Sequence, residues 1–142
     1  MEAVKTPCPD CPFSKRCTPG ALGGSPPSVY IGQARGPFTL PCHKHCDFDD
    51  PDWKSKSVQT PQCAGAAIFR TLAGMAGRLP KEIPLLPANS VVFANEYEFL
   101  AHHSKTDVAR VRKCVNEEEF ELWSRIEMVK ARRIMSQAKD RS

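Results

Sequence analysis

The distribution of cysteine along this 142-residue chain constrains its fold more than any other feature. Six of the seven cysteines lie within the first 63 residues, together with two of the four histidines. Ten of the 13 prolines also lie before residue 62. Because proline and glycine interrupt helices and strands and apolar residues are sparse here, hydrophobic burial alone cannot readily order this half. A metal ion or cluster bound by cysteine is the most economical way to hold it together.

The preferred metal ligands are four cysteines: Cys8, Cys11, Cys42 and Cys63. The two residues between Cys8 and Cys11 allow both sulfurs to reach one tetrahedral ion or two corners of a cluster. Cys63 lies at the predicted start of a helix, where free backbone N–H groups and the positive end of the helix dipole favour a thiolate. We therefore expect the site to join three remote segments of the chain.

Four further side chains are reserve ligands: Cys17, His43, His45 and Cys46. Cys42 and His45 have zinc-knuckle spacing, and Cys42 with Cys46 allows a second pair of ligands. The neighbouring histidines favour zinc. The dispersed single cysteines, and the cysteine at a helix start, favour an iron–sulfur cluster. The sequence leaves a zinc ion and an iron–sulfur cluster open as cofactors.

Three motifs follow one another within residues 7–72: Cys8-Pro-Asp-Cys11-Pro-Phe13, then Cys42-His43, then Cys63-Ala-Gly65. In this order they resemble an uncharacterised family of small bacterial and phage cysteine-rich proteins. The resemblance implies five shared positions: Cys8, Cys11, Cys42, His43 and Cys63. Ser14 stands where the family often has arginine, and Cys17, His45 and Cys46 are additional. Since the family has no established activity, the resemblance implies a site rather than a reaction.

Turn residues and short apolar runs predict an α+β fold in a single domain, residues 1–142. Residues 1–61 form an irregular, metal-organised lobe with short strands, and residues 62–142 are mainly helical, with three or four helices on which the lobe packs. The strand candidates are residues 29–31 and 38–40, while residues 91–93 form a strand or a buried turn. Helices are predicted at about 62–77, 96–103, 107–114 and 117–139, with Ser104 and Asn116 beginning capping boxes.

Two other candidates are judged structural. His102 and His103 adjoin a helix boundary, and adjacent helical side chains point about 100° apart, which disfavours a shared site and favours capping or surface roles. Cys114 is expected to be a small buried apolar residue.

Charge and composition limit the function classes. The net charge of +4 permits nucleic-acid contact without requiring it. The absence of a signal-peptide pattern and of a run of about 18 apolar residues predicts a cytoplasmic protein with no membrane role. We therefore expect a cysteine-ligated metal-binding protein with a mainly structural site, acting as a small phage-related accessory factor with a protein or nucleic-acid partner. The alternative is a metalloenzyme for redox or hydrolytic chemistry. The sequence identifies no small-molecule substrate.

Overall fold

A computed structural model describes residues 7, 10–22, 24–38, 40, 63–81, 83 and 85–140. These residues contain five α-helices: α1 (Pro27–Arg35), α2 (Ala64–Leu72), α3 (Glu96–His103), α4 (Val108–Cys114) and α5 (Glu117–Asp140). A short 3₁₀ helix, Ala76–Arg78, follows α2. Across the described ranges, β structure is limited to one isolated bridge between Ser14 and Val92.

The predicted α+β class is therefore wrong: the described chain is helical, and it has an α-helix, α1, where strands were expected in the N-terminal half. The first strand candidate, residues 29–31, lies inside α1. Proline at the first helical position has its φ already fixed for a helix, so Pro27 favours this start. Of the other candidates, residues 38 and 40 are irregular, and residue 39 lies outside the described residues. Residues 91–93 follow the buried-turn alternative: Val91 lies in a turn, Val92 and Phe93 are buried, and the only β structure there is the isolated bridge.

The helices predicted after residue 62 are confirmed, with changes at their ends. Helix α2 ends at Leu72, and Gly74 then turns the chain with a φ of +73°, a region that glycine enters at little cost. The side chain of Asp107 caps α4 by accepting a hydrogen bond from the Arg110 N–H at 2.8 Å. Ser104 instead follows the last residue of α3, so its predicted role as a helix N-cap is wrong.

The core joins the N-terminal residues to the helices. Phe13 packs against Phe69 of α2 and Phe99 of α3, with ring centroids 5.1 and 5.2 Å apart. Helix α1 lies close along α5, because Gly32 lacks a Cβ that would otherwise lie 2.6 Å from the carbonyl oxygen of Trp123. Residues from both halves of the chain therefore share one buried aromatic cluster.

A network of charged side chains joins α1, α3 and α5. The guanidinium of Arg35, which is 8% exposed, binds the carboxylates of Glu96, Glu117 and Glu121. The hydrogen bond from Arg78, which has the largest effect, and the hydrogen bond from Arg35 lower the pKa of Glu121 to about 2. These contacts fix the end of α1 against α3 and the first turns of α5. None of the described helices combines the length and apolar character needed to cross a membrane.

Candidate functional site

The sulfurs of Cys11 and Cys63 meet in the protein interior. Their Sγ atoms lie 3.3 Å apart although the two residues are separated by 52 positions in the sequence. The residues are 1% and 7% exposed. Cys11 lies in a turn in which its carbonyl accepts the Ser14 N–H at 2.9 Å, and Cys63 is the N-cap residue of α2. The fold thus brings two thiol groups from remote segments to the beginning of one helix.

Gly65 allows this approach. A Cβ at position 65 would lie 2.2 Å from the Cys11 Sγ and 3.2 Å from the Cβ of Phe13. Real Cβ atoms essentially never come so close to another atom. The Cys11 sulfur can therefore lie against the first turn of α2 only because residue 65 is glycine. The glycine of the Cys-Ala-Gly motif therefore has a steric role in the site.

The surroundings of Cys63 favour its thiolate form. Its pKa is lowered chiefly by the hydrogen bond between its sulfur and the Cys11 thiol. The backbone N–H groups of Ala66 and Gly65 and the positive charge of Arg70 act in the same direction, while burial opposes them. The Cys63 sulfur is consequently a better nucleophile and metal ligand than an ordinary buried thiol.

Arg70 places a buried positive charge within α2, about two helical turns after Cys63. Its side chain is among the largest fully buried ones and donates hydrogen bonds to the backbone carbonyls of Ala34 at 2.9 Å, Phe38 at 2.6 Å, Gln33 at 3.2 Å and Gly36 at 3.3 Å. Burial lowers its pKa to about 10, and the charge of Cys63 opposes this change. Because 10 is well above neutral pH, the guanidinium remains charged.

The structure brings together two of the eight residues that the sequence proposes as ligands, Cys11 and Cys63. Cys17 is described as well, but it contacts another group of side chains. The other five lie outside the described residues: Cys8, Cys42, His43, His45 and Cys46. Among the residues described, no group of three or more histidine, cysteine or carboxylate side chains could hold a metal ion.

Cys17 forms a second cluster, with His102 and His103. Its Sγ lies 3.7 Å from Nε2 of His102 and 3.6 Å from Nε2 of His103. The expectation that these adjacent histidines would not easily share one site is therefore wrong, because both rings approach the same sulfur. His103 is only 5% exposed, so a surface role is also wrong for it.

Hydrogen bonds assign this second cluster a structural role. The Gly20 N–H donates to Nδ1 of His103 at 3.0 Å, so its Nε2 carries the proton and donates to the Pro12 carbonyl at 2.8 Å. This tautomer offers no free nitrogen lone pair to a metal ion. Burial lowers the pKa of His103, which favours the same neutral ring. The cluster thus holds the carbonyl of the residue that follows Cys11 against α3.

Cys114 is exposed at the end of α4, so the expectation that it is buried is wrong. It lines an open cavity of about 440 Å³ together with Lys105 and Arg110. This cavity has no described contact with the paired sulfurs of Cys11 and Cys63.

Comparison of the chain with protein-family models, with curated proteins and with solved structures gives no match. The site is therefore interpreted from its own geometry.

Proposed function

We propose that the protein binds one metal ion through cysteine thiolates and that this centre has a mainly structural role. The observation that carries the proposal is the buried pair of sulfurs from Cys11 and Cys63, 3.3 Å apart at the start of α2. Cys8 and Cys42, which lie outside the described residues, are the proposed remaining ligands. Cys8 precedes Cys11 by three positions, a spacing that suits two ligands of one tetrahedral ion.

The separation of the two sulfurs supports a zinc ion. Zinc–sulfur bonds of about 2.3 Å in a tetrahedron place neighbouring sulfurs about 3.8 Å apart. The Sγ atoms of Cys11 and Cys63 lie within about 0.5 Å of that separation, so small side-chain movements would let both bind one ion. In a four-iron cluster each thiolate binds a different iron, which requires sulfurs farther apart. An iron–sulfur cluster is accordingly the second candidate.

Charges around the sulfurs also support a metal–thiolate centre. Four thiolates on one divalent ion carry a net charge of −2, which is costly to bury without compensation. The charged Arg70 side chain and the N–H groups of Gly65 and Ala66 supply positive potential on the side of α2. A buried arginine whose described partners are neutral carbonyls is in turn stabilised by a nearby anion.

The burial of the pair favours a structural centre over the metalloenzyme alternative. A catalytic zinc retains an open position for water or substrate, whereas a structural site is closed by four protein ligands. Cys11 and Cys63 are 1% and 7% exposed, so the described side of the centre is closed. The net charge of +4 is compatible with contact to nucleic acid, and the proposed role is that of a small cytoplasmic accessory factor with a protein or nucleic-acid partner.

Metal analysis of protein purified without oxygen tests the centre. We expect a colourless protein with one zinc ion per chain, and loss of zinc in the Cys11→Ser and Cys63→Ser variants. Cys114→Ser is the matched control, because Cys114 is exposed and lies outside the sulfur pair. A brown protein that contains iron would show that the centre is an iron–sulfur cluster and not a zinc ion. A wild type that contains no metal when it is purified in this way would refute a metal centre.

A gel-shift experiment tests the nucleic-acid partner separately. Binding that depends on phosphate contacts should weaken steeply as the salt concentration rises. If the metal-loaded protein fails to shift DNA or RNA at low salt, a nucleic-acid partner is refuted and a protein partner remains.

A further inference from the structure

Helix α5 has a second apolar face besides the one in the core. Leu122, Ile126 and Val129 are 47%, 42% and 45% exposed. Their spacing of four and then three residues places them on one side of the helix. Phe120 and Glu127, on another side, are buried at 0% and 7% exposure. The exposed apolar residues are therefore additional to those that hold α5 against the rest of the protein.

The ends of this face carry opposite charges. Glu118 lies four residues before Leu122, and Arg133 lies four residues after Val129, so both extend the same row. Both are exposed. We call the row of Glu118, Leu122, Ile126, Val129 and Arg133 the outer face of α5.

The outer face is complementary to itself in an antiparallel orientation. Glu118 and Arg133 are equally distant from a centre between residues 125 and 126, and so are Leu122 and Val129. A two-fold axis at this centre would place each glutamate opposite the arginine of the other copy and each leucine opposite a valine. A parallel pair would instead place like charges together. The two helix dipoles are also favourably aligned only in the antiparallel pair.

We propose that the outer face of α5 binds a second copy of this chain, with the two α5 helices antiparallel about an axis next to Ile126. The face extends about 22 Å at 1.5 Å per residue, which is long enough for four turns of helix to pack side by side. The three apolar side chains form the centre, with the exposed Arg125 at its edge beside the axis, and the charged pairs form the ends. This inference does not depend on the metal centre.

Sedimentation over a wide range of protein concentration tests the dimer. The apparent mass should rise from 15.8 kDa towards twice that value as the concentration increases. The double substitution Ile126→Glu with Val129→Glu should leave the protein monomeric at every concentration. Lys113→Glu, at an exposed position on α4, is the matched control and should dimerise like the wild type. Circular dichroism checks that each variant keeps its helices.

Charge reversal tests the orientation. Because each pair occurs twice in the dimer, Glu118→Arg or Arg133→Glu alone should raise the dissociation constant by about tenfold or more. The two reversals combined should restore dimerisation, which neither unfolding nor a parallel arrangement would explain. A wild type that remains monomeric overturns the proposal, as does a double reversal that fails to recover. If the wild type is monomeric and Arg133→Glu weakens DNA binding, the face binds nucleic acid instead.

Discussion

Replacing Gly65 by alanine should disrupt the paired sulfurs while leaving most of the fold intact. The added Cβ would lie 2.2 Å from the Cys11 Sγ, whereas ordinary contacts begin at 3.4 Å, so the sulfur must move by the difference, 1.2 Å. Metal–ligand distances tolerate deviations of about 0.2 Å. The required movement is several times larger, so we expect Gly65→Ala to lose its metal.

The effect of this substitution on stability should be smaller. Alanine in place of glycine favours a helix by about 1 kcal/mol, and overpacking a buried site costs about 1–3 kcal/mol. Gly65→Ala should therefore lower the free energy of unfolding by about 0–2 kcal/mol, which denaturant unfolding of the metal-free proteins would measure. Metal content per folded chain, measured after gel filtration, reports on the site itself.

Two other glycines provide matched controls. A Cβ at Gly77 meets nothing within 4 Å, so Gly77→Ala should keep both its metal and its stability. A Cβ at Gly32 would lie 2.6 Å from the Trp123 carbonyl oxygen, so Gly32→Ala should loosen α1 from α5 yet retain metal in the folded fraction. A Gly65→Ala protein that binds metal with wild-type affinity would refute the steric argument.

Three further predictions concern the buried polar groups. Arg70→Met leaves four carbonyl oxygens without their hydrogen-bond donor. It should lower the free energy of unfolding in urea by about 3 kcal/mol or more. A loss below about 1 kcal/mol would contradict the stabilising role of these hydrogen bonds. The pKa of His103 is lowered in the folded protein, so the contribution of the neutral ring to stability is present above about pH 6.5 and is lost as the pH falls further. The His103→Gln variant should therefore show a weaker dependence of the melting temperature on pH. A pH profile equal to that of the wild type would contradict this role of His103. The side chain of Glu96 is 5% exposed, so Glu96→Gln should lower the free energy of unfolding by about 1–3 kcal/mol. The side chain of Glu117 is 64% exposed, so Glu117→Gln should lower it by less than about 0.5 kcal/mol. Equal losses would show that burial does not decide the strength of the contacts with Arg35.

The sequence predicted the parts of the structure that depend on local chemistry. Helix α5 has acidic residues in its first turn and a continuous apolar pattern, and its bounds were predicted closely. Cys63 was expected at a helix start and is the N-cap of α2. The three-residue apolar run at 29–31 was too short to distinguish a strand from a helix, and the proline before it was the better signal.

Contacts between remote segments could not be predicted in the same way. Arg70 is buried because carbonyls of residues 33–38 surround it, and the sequence hint was a charged residue in an otherwise apolar helix. His102 and His103 converge because Cys17 and the carbonyls of residues 12 and 17 lie between the N-terminal turns and α3. Helical spacing alone gave the opposite expectation. The short distance between the Cys11 and Cys63 sulfurs likewise depends on the tertiary fold.

The sequence separation of Cys11 and Cys63 also affects the unfolded chain. A link between their sulfurs that persists in the unfolded chain closes a loop across a separation of 52 residues. By the chain-entropy relation, closing such a loop removes about 4 kcal/mol of conformational freedom from the unfolded state. A ligand that binds only the folded chain also stabilises it in proportion to the logarithm of the free ligand concentration. The amount of folded protein in a cell would then vary with the supply of metal, so abundance itself could report metal availability.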